Sequence, residues 1–301
     1  MEGWNISIRT VVLSTGNMEE HSDSGVKAGV LYVVSTPIGN LEDMTHRGVR
    51  VLKQVGLIAA EDTRHTRKLL DHYGIRTPVT SLHGFNEHEK CGRIVRKLLD
   101  GMDVAYVSDA GTPGISDPGY LLVNRAVAEG IRVTPIPGAS AAVAALSVSG
   151  LPTEKYAFHG FLPSPKGKRR SFLESLRSEE KTMVFYESPR RLPETLADIG
   201  EILGDRPIVV ARELTKTFEE VIRGTVSEAA ARLGEGEVRG EITLILSGAR
   251  EPRPAPADEE IRARAAALLA DGSLSRRDVA DIVSRELDVP RKRVYRLVLF
   301  P

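Results

Sequence analysis

From Leu31 onward, short apolar runs alternate with longer amphipathic stretches, and this alternation restricts the chain to an α/β architecture. Leu31–Val34, Leu57–Ala60, Val79–Leu82, Val104–Val107 and Val133–Ile136 read as strands. Val49–Val55, Arg64–Tyr73, Glu89–Leu99, Leu121–Glu129 and Ala139–Leu146 read as the helices between them. Strands that are apolar throughout need cover on both faces, which predicts a mainly parallel sheet between two helix layers. The texture changes near Ser149-Gly150-Leu151-Pro152, and a second series begins. Its expected strands are Tyr156–His159, Thr182–Tyr186, Ile208–Ala211 and Ile242–Leu246, with helices around Arg170–Leu176, Leu192–Leu203 and Ser227–Leu233.

The expected organisation is therefore two α/β domains, 30–150 and 151–249. A linker follows at 250–257, where Pro252, Pro254 and Pro256 block helix and sheet alike. Over 258–301 three apolar stripes recur at helical spacing: Ile261, Ala265 and Leu268; Val279, Ile282, Val283 and Leu287; Val294, Leu297 and Val298. Ser275 is placed to cap the second helix. The reading is a small helix-turn-helix-like module, which either binds nucleic acid or packs against a neighbour. Residues 1–29 read as a loose leader; Arg9 interrupts the apolar stretch Ile6–Leu13, so no secretory signal is expected.

Hydrophobic content of 41% with 27% charge predicts a packed globular chain. Lys and Arg number 41 and so do Asp and Glu, so any contact with a polyanion must be local. The single cysteine, Cys91, excludes an intrachain disulfide and a cysteine-rich zinc site, and it fits a reducing cytoplasm. No metal is expected. No apolar run approaches the roughly 20 residues that span a bilayer, so no membrane partner is expected.

The segments that follow the strands carry the candidate chemistry. Ser108-Asp109-Ala110-Gly111-Thr112-Pro113-Gly114-Ile115-Ser116-Asp117-Pro118-Gly119 has more glycine, proline and aspartate than a simple turn requires. Its position after a parallel strand is where open α/β sheets bind ligands. Thr36-Pro37-Ile38-Gly39-Asn40-Leu41 follows the first strand but lacks both G-x-G-x-x-G and G-x-x-x-x-G-K-[ST], so ordinary nucleotide-phosphate chemistry has no support. Glu61-Asp62-Thr63-Arg64 opens a helix that Asp62 or Thr63 is placed to cap. Arg64, Arg67 and Lys68 share one face of that helix, suited to a phosphate-bearing substrate. His83 is read either as an acid–base group or as a hydrogen-bonded wall residue. Ile136-Pro137-Gly138-Ala139-Ser140-Ala141 combines small residues with a helix cap at Ser140. Lys166, Lys168, Arg169 and Arg170 form a basic cluster, either a solvated surface or a set of phosphate contacts.

Five motifs then coincide: Thr36-Pro37-Ile38-Gly39-Asn40-Leu41, Glu61-Asp62-Thr63-Arg64, Ser108-Asp109-Ala110-Gly111-Thr112-Pro113-Gly114, Pro137-Gly138-Ala139-Ser140 and Gly160-Phe161-Leu162-Pro163. In this order and at these intervals they resemble the ribosomal RNA small subunit methyltransferase I family, of the tetrapyrrole-methylase (class III) fold. The resemblance runs from about Leu31 to the C-terminus. It implies S-adenosylmethionine held in a cleft between the two α/β domains, a homodimer, and methylation of a cytidine ribose 2′-hydroxyl in the decoding region of 16S rRNA, within the small ribosomal subunit. By position it implies cofactor contacts at Pro37, Gly39, His83, Asp109, Ala110, Gly111, Pro113, Gly114, Ile115, Ser140 and Ala141. From the second domain it adds Phe161, Leu162, Tyr186, Arg212, Glu213, Ile242 and Thr243.

A ribose hydroxyl is a poor nucleophile until its proton leaves, so a base is expected nearby. Glu61, Asp62, His83 and Glu213 are the candidates, with the Glu61-Asp62 pair favoured. Arg64, Arg67, Lys68 and the Lys166–Arg170 cluster are the expected RNA contacts. Two other readings stay open: a methylase of a tetrapyrrole or another small molecule, and a non-enzymatic helix-turn-helix regulator with a ligand-sensing α/β domain.

Overall fold

The computed structural model describes residues 27–84, 87–234, 239–249, 256–270, 274–287 and 289–299. The expected leader up to residue 26 and the linker over 250–255 lie outside the described residues. The chain forms two compact units. One holds the chain to Pro37 together with Leu41–Ala139; the other holds Ile38–Asn40 and the chain from Ser140 onward.

In the first unit, β1 (Leu31–Val34), β2 (Leu57–Ala60), β3 (Val79–Ser81), β4 (Val104–Val107) and β5 (Val133–Ile136) form one sheet in the order β3-β2-β4-β1-β5. Every pairing is parallel, so all five carboxyl ends emerge at one edge. Helices α1 (His46–Gln54) and α2 (Thr63–His72) bury Val51, Leu52, Val55 and Leu70 against one face. On the other face, α3 (Glu87–Leu99) and α4 (Tyr120–Ala128) bury Ile94, Leu98, Leu122 and Ala126. Fully covered parallel strands explain the unbroken burial of Val104–Val107. Gly119 starts α4 at a φ of 116°, and a Cβ there would lie 2.2 Å from the Tyr106 ring, so this position needs glycine twice over.

The second unit opens with α5 (Ala141–Ser149). The division therefore falls after Ala139 and not at the expected residue 150. The reason is packing: Ala142, Ala145 and Leu146 are buried against Val184, Val209, Ala211 and Ile245 of the second sheet. That sheet has the order β6-β7-β10-β8-β9, built from β6 (Tyr156–Phe161), β7 (Thr182–Glu187), β8 (Pro207–Arg212), β9 (Glu220–Thr225) and β10 (Ile242–Leu246). Only β6 and β7 pair in parallel; the other three pairings are antiparallel. Strand β9 was not legible in the sequence, because Arg223 and Gly224 break its apolar pattern and an edge strand has only one neighbour to satisfy. Helices α6 (Lys166–Ser175), α7 (Leu192–Leu203) and α8 (Val226–Leu233) cover the face opposite α5.

The expected basic cluster divides into buried and exposed members. Arg169 is 1% exposed, and its guanidinium donates to Asp198 at 2.7 Å and to Glu194 at 3.2 Å. Arg170 is paired with Asp198 and Glu201. The period of α6 turns Arg169 inward beside Leu173, so Arg169 is a structural ion-pair residue and is not available to RNA. Lys166 and Lys168 remain exposed.

Helices α9 (Asp258–Leu269), α10 (Arg276–Glu286) and α11 (Arg291–Leu299) enclose a small core of Ile261, Ala265, Val279, Ala280, Val283, Val289 and Val294. Ser275 caps α10 as expected, in a reciprocal capping box with Asp278. Among the described residues, no helix is long and apolar enough to cross a membrane.

One stability prediction follows from the buried pair. Asp198→Ala leaves the Arg169 guanidinium buried with one weak partner, so urea unfolding should report a loss of about 3–5 kcal/mol.

Candidate active site

The carboxyl edge of the first sheet is stitched across its strands. Thr36 and Gly111 exchange two main-chain hydrogen bonds, of 2.9 and 3.1 Å, which joins the loop after β1 to the loop after β4. Thr36 Oγ1 also donates to the Ser108 carbonyl at 3.2 Å. The Ser35 and Thr112 hydroxyls lie 3.0 Å apart, and Thr112 Oγ1 donates to the Ala139 carbonyl at 3.2 Å. Gly138 packs so closely that an added Cβ would lie 2.9 Å from Ser35 Cβ. The loop after β5 is thereby tied to the same edge.

Between β2 and β4 the stitching is made by carboxylates. Asp109 Oδ1 accepts the Asp62 N–H at 3.0 Å, and the Glu61 carboxyl lies within electrostatic reach of Asp109 and Asp117. The Ser108 hydroxyl donates to the Ala110 carbonyl at 3.2 Å. Burial, then the charges of Asp117 and Asp109, push the Glu61 carboxyl above the usual glutamate range. Burial raises Asp117 as well.

Asp62 behaves oppositely. It caps α2 by accepting the Arg64 N–H at 2.8 Å and pairs with the Arg64 guanidinium at 2.9 Å. The Arg64 side-chain hydrogen bond, followed by its main-chain bond, holds the Asp62 carboxyl down to about 2. The expected Glu61-Asp62 pair therefore separates into a carboxyl with raised proton affinity and a helix cap. Arg64 is 89% exposed, and Arg67 and Lys68 are exposed beside it, opposite the buried Thr66, Leu69 and Leu70. His83 sits just past β3 at the same edge. Ser140 stands at the N-cap of α5, but its side chain makes no capping bond.

In the second unit, strand register brings the expected residues into one row. Phe161 lies opposite Tyr186, Tyr186 opposite Thr243, and Thr243 opposite Ala211, the neighbour of Arg212. Phe161 and Tyr186 meet edge to face with ring centroids 5.5 Å apart. Two members of the expected set differ. The Leu162 and Ile242 side chains are buried in the core beneath α6 and α7, and the Leu162 carbonyl accepts from Arg191, so neither side chain is available at the edge. Arg212 pairs with Glu220 at 2.8 Å, and Glu213 pairs with Lys216 at 2.8 Å. The Lys216 hydrogen bond lowers the Glu213 carboxyl, which disfavours it as a base.

Sequence reading missed the partner of Gly39. In the second unit, the Asn40 N–H donates to Thr215 Oγ1 at 3.0 Å. A Cβ on Gly39 would lie 2.4 Å from Lys216 Cγ and 2.9 Å from the Leu214 carbonyl oxygen. No local signal announces this contact, because the partners are far apart in the chain.

Comparisons with known proteins agree with this arrangement. Residues 30–230 match the family of Tetrapyrrole (Corrin/Porphyrin) Methylases. A protein of Synechocystis sp. named ribosomal RNA small subunit methyltransferase I is 47% identical over 273 residues, covering 90% of this chain and 98% of its own. A protein of Halalkalibacterium halodurans with the same name is 53% identical over 220 residues, covering 73% and 76%. Among solved structures, diphthine synthase superposes with a TM-score of 0.55 at 13% identity, over 72% of this chain and 89% of that one. Uroporphyrin-III C-methyl transferase from Thermus thermophilus, complexed with S-adenyl homocysteine, superposes with a TM-score of 0.51 at 20% identity, over 73% and 97%. These likenesses show the shared fold. With nearly half its residues identical across almost its whole length to proteins of that name, the chain belongs to the ribosomal RNA small subunit methyltransferase I family, within the tetrapyrrole methylases.

Proposed function

We propose that this protein methylates the ribose 2′-hydroxyl of a cytidine in the decoding region of 16S rRNA, using S-adenosylmethionine. The proposal extends to a cytoplasmic homodimer acting on the small ribosomal subunit. The names of its relatives support small-subunit rRNA as the substrate, and the S-adenyl homocysteine bound to a protein of the same fold supports the cofactor. The observation that carries the reading is the Glu61 carboxylate, with raised proton affinity, next to a helix that presents Arg64, Arg67 and Lys68.

The edge of the first sheet fits such a cofactor. Asp109 uses Oδ1 internally, and its Oδ2 makes no hydrogen bond among the described residues, so it suits a ribose diol. Gly114, at a φ of 80°, has nothing within 4 Å of where a Cβ would stand, which leaves the main chain open to a ligand. Ile115 is 46% exposed beside it and suits an apolar ring. With Pro37, His83, Ala110, Gly111 and Pro113 these residues form the proposed cofactor surface of the first unit. Gly39, Ser140, Ala141, Phe161, Tyr186, Arg212, Glu213 and Thr243 form that of the second.

S-adenosylmethionine, when bound, supplies a methyl group already activated by a sulfonium. The chain's own part is to orient the RNA, exclude water and receive a proton. Glu61 takes the proton of the ribose hydroxyl, and Asp117 and Asp109 maintain its affinity for it. Arg64, Arg67 and Lys68, with Lys166 and Lys168, hold the RNA backbone.

The direct test supplies labelled S-adenosylmethionine with small ribosomal subunits, naked 16S rRNA and a tetrapyrrole, and then maps the label. Label on a cytidine ribose is expected; label on the tetrapyrrole would overturn the reading. Asp109→Ala should weaken cofactor affinity by about tenfold or more in calorimetry, the loss of one charge-assisted hydrogen bond. Glu61→Gln should lower kcat on the order of 10²-fold or more with cofactor affinity unchanged. The active form of Glu61 is deprotonated and its pKa is raised, so wild-type kcat should fall with acidity at a higher pH than an ordinary glutamate would give. In a kcat–pH profile, the Gln variant should lack that limb.

A further inference from the structure

Phe218 stands 77% exposed in the connection between β8 and β9, on a segment built as a rigid platform. Glu213 and Thr215 adopt φ values of 53° and 65°, a region that side chains with a Cβ rarely enter and that is strained for a β-branched threonine. The strain is held by a closed set of bonds. Lys216 N–H donates to the Glu213 carbonyl at 3.0 Å, and Glu219 N–H to the Lys216 carbonyl at 3.1 Å, making two successive turns. The Thr215 N–H donates to the Glu219 carboxylate at 2.6 Å. The Lys216 ammonium bridges Glu213 at 2.8 Å and Glu241 at 3.1 Å. The charged side chains of the loop are thereby engaged within it, Lys216 by Glu213 and Glu241 and the Glu219 carboxylate by the Thr215 N–H, and the tip offers a ring flanked by Thr217 and Glu219.

The platform is also anchored to the Ile38–Asn40 stretch, which belongs to the same unit. Thr215 Oγ1 accepts from Asn40, and Lys216, Thr215 and Leu214 fill the space that a Gly39 side chain would need. The segment that carries the ring is thus fixed to the Ile38–Asn40 stretch of the same unit. Leaving a phenylalanine in water forgoes its burial, and strained backbone that is held rigid points to a ligand.

We infer that Phe218 is a stacking platform for an unpaired base of the RNA substrate, presented at a fixed position relative to the Gly39 loop. This rests on the rRNA reading above. Single-stranded RNA is held largely by stacking of splayed bases on aromatic side chains, which requires a flat, rigid, uncharged face. A second protein copy fits less well, since a stable interface needs a contiguous apolar patch and this ring has polar neighbours.

The test compares Phe218→Ala, Phe218→Leu and Phe218→Trp in binding to small ribosomal subunits and to 16S rRNA, with calorimetry on S-adenosylmethionine. Phe218→Ala should weaken RNA binding on the order of tenfold while leaving cofactor affinity intact. Phe218→Leu, apolar but without a π face, should remain defective, and Phe218→Trp should bind like the wild type with its indole fluorescence quenched by RNA. Wild-type affinity in the Ala or Leu variant would overturn the inference, as would an Ala variant whose defect is a change of oligomeric state in sedimentation. Failure of the wild-type chain to methylate rRNA would instead defeat the underlying reading, so the two failures are distinguishable.

Discussion

The two main-chain hydrogen bonds between Thr36 and Gly111 are the constraint on which the candidate site depends. They turn the loops after β1 and β4 into one extended edge, although those loops are far apart in the chain. Without them, a segment as rich in glycine and proline as Ser108–Gly119 would have many conformations to lose on binding a ligand. With them, and with the Ser35–Thr112 and Asp62–Asp109 contacts alongside, the loop is ordered before any ligand arrives. Preorganisation of this kind reduces the entropic cost of binding.

Electrostatics divides labour among neighbouring side chains on the same scaffold. Glu61 and Asp62 are adjacent in sequence, yet burial and neighbouring carboxylates raise one while an arginine lowers the other. The same logic separates Arg169 from Lys168. One faces inward and is committed to Asp198, and the other faces solvent. In both pairs the residue type alone is uninformative, and the local environment assigns the role.

Much of the fold was legible because its signals are periodic. Fully buried parallel strands such as Val104–Val107 show as unbroken apolar runs, and helices such as Leu192–Leu203 show as stripes. Strand β9 escaped because an edge strand need not be apolar. The place of α5 escaped because a helix's apolar stripe says that it packs, not on which sheet. In the site, the row Phe161, Tyr186, Thr243 and Ala211 joins residues from four strands; the family resemblance named the first three before their register was known, and Ala211 came only with the register.

The amino-acid sequence by itself determined the α/β class, nearly all the elements, the loops that carry the candidate chemistry, and the family, since these depend on local periodicity and motif spacing. Tertiary structure alone decided that Glu61 and not Asp62 has the raised proton affinity, that Arg169 is buried, and that Phe218 stands on a platform docked against Gly39. Each of these rests on contacts between residues distant in the chain, or on the desolvation that packing imposes. Neither leaves a mark in local sequence, because burial and proximity are properties of the folded chain.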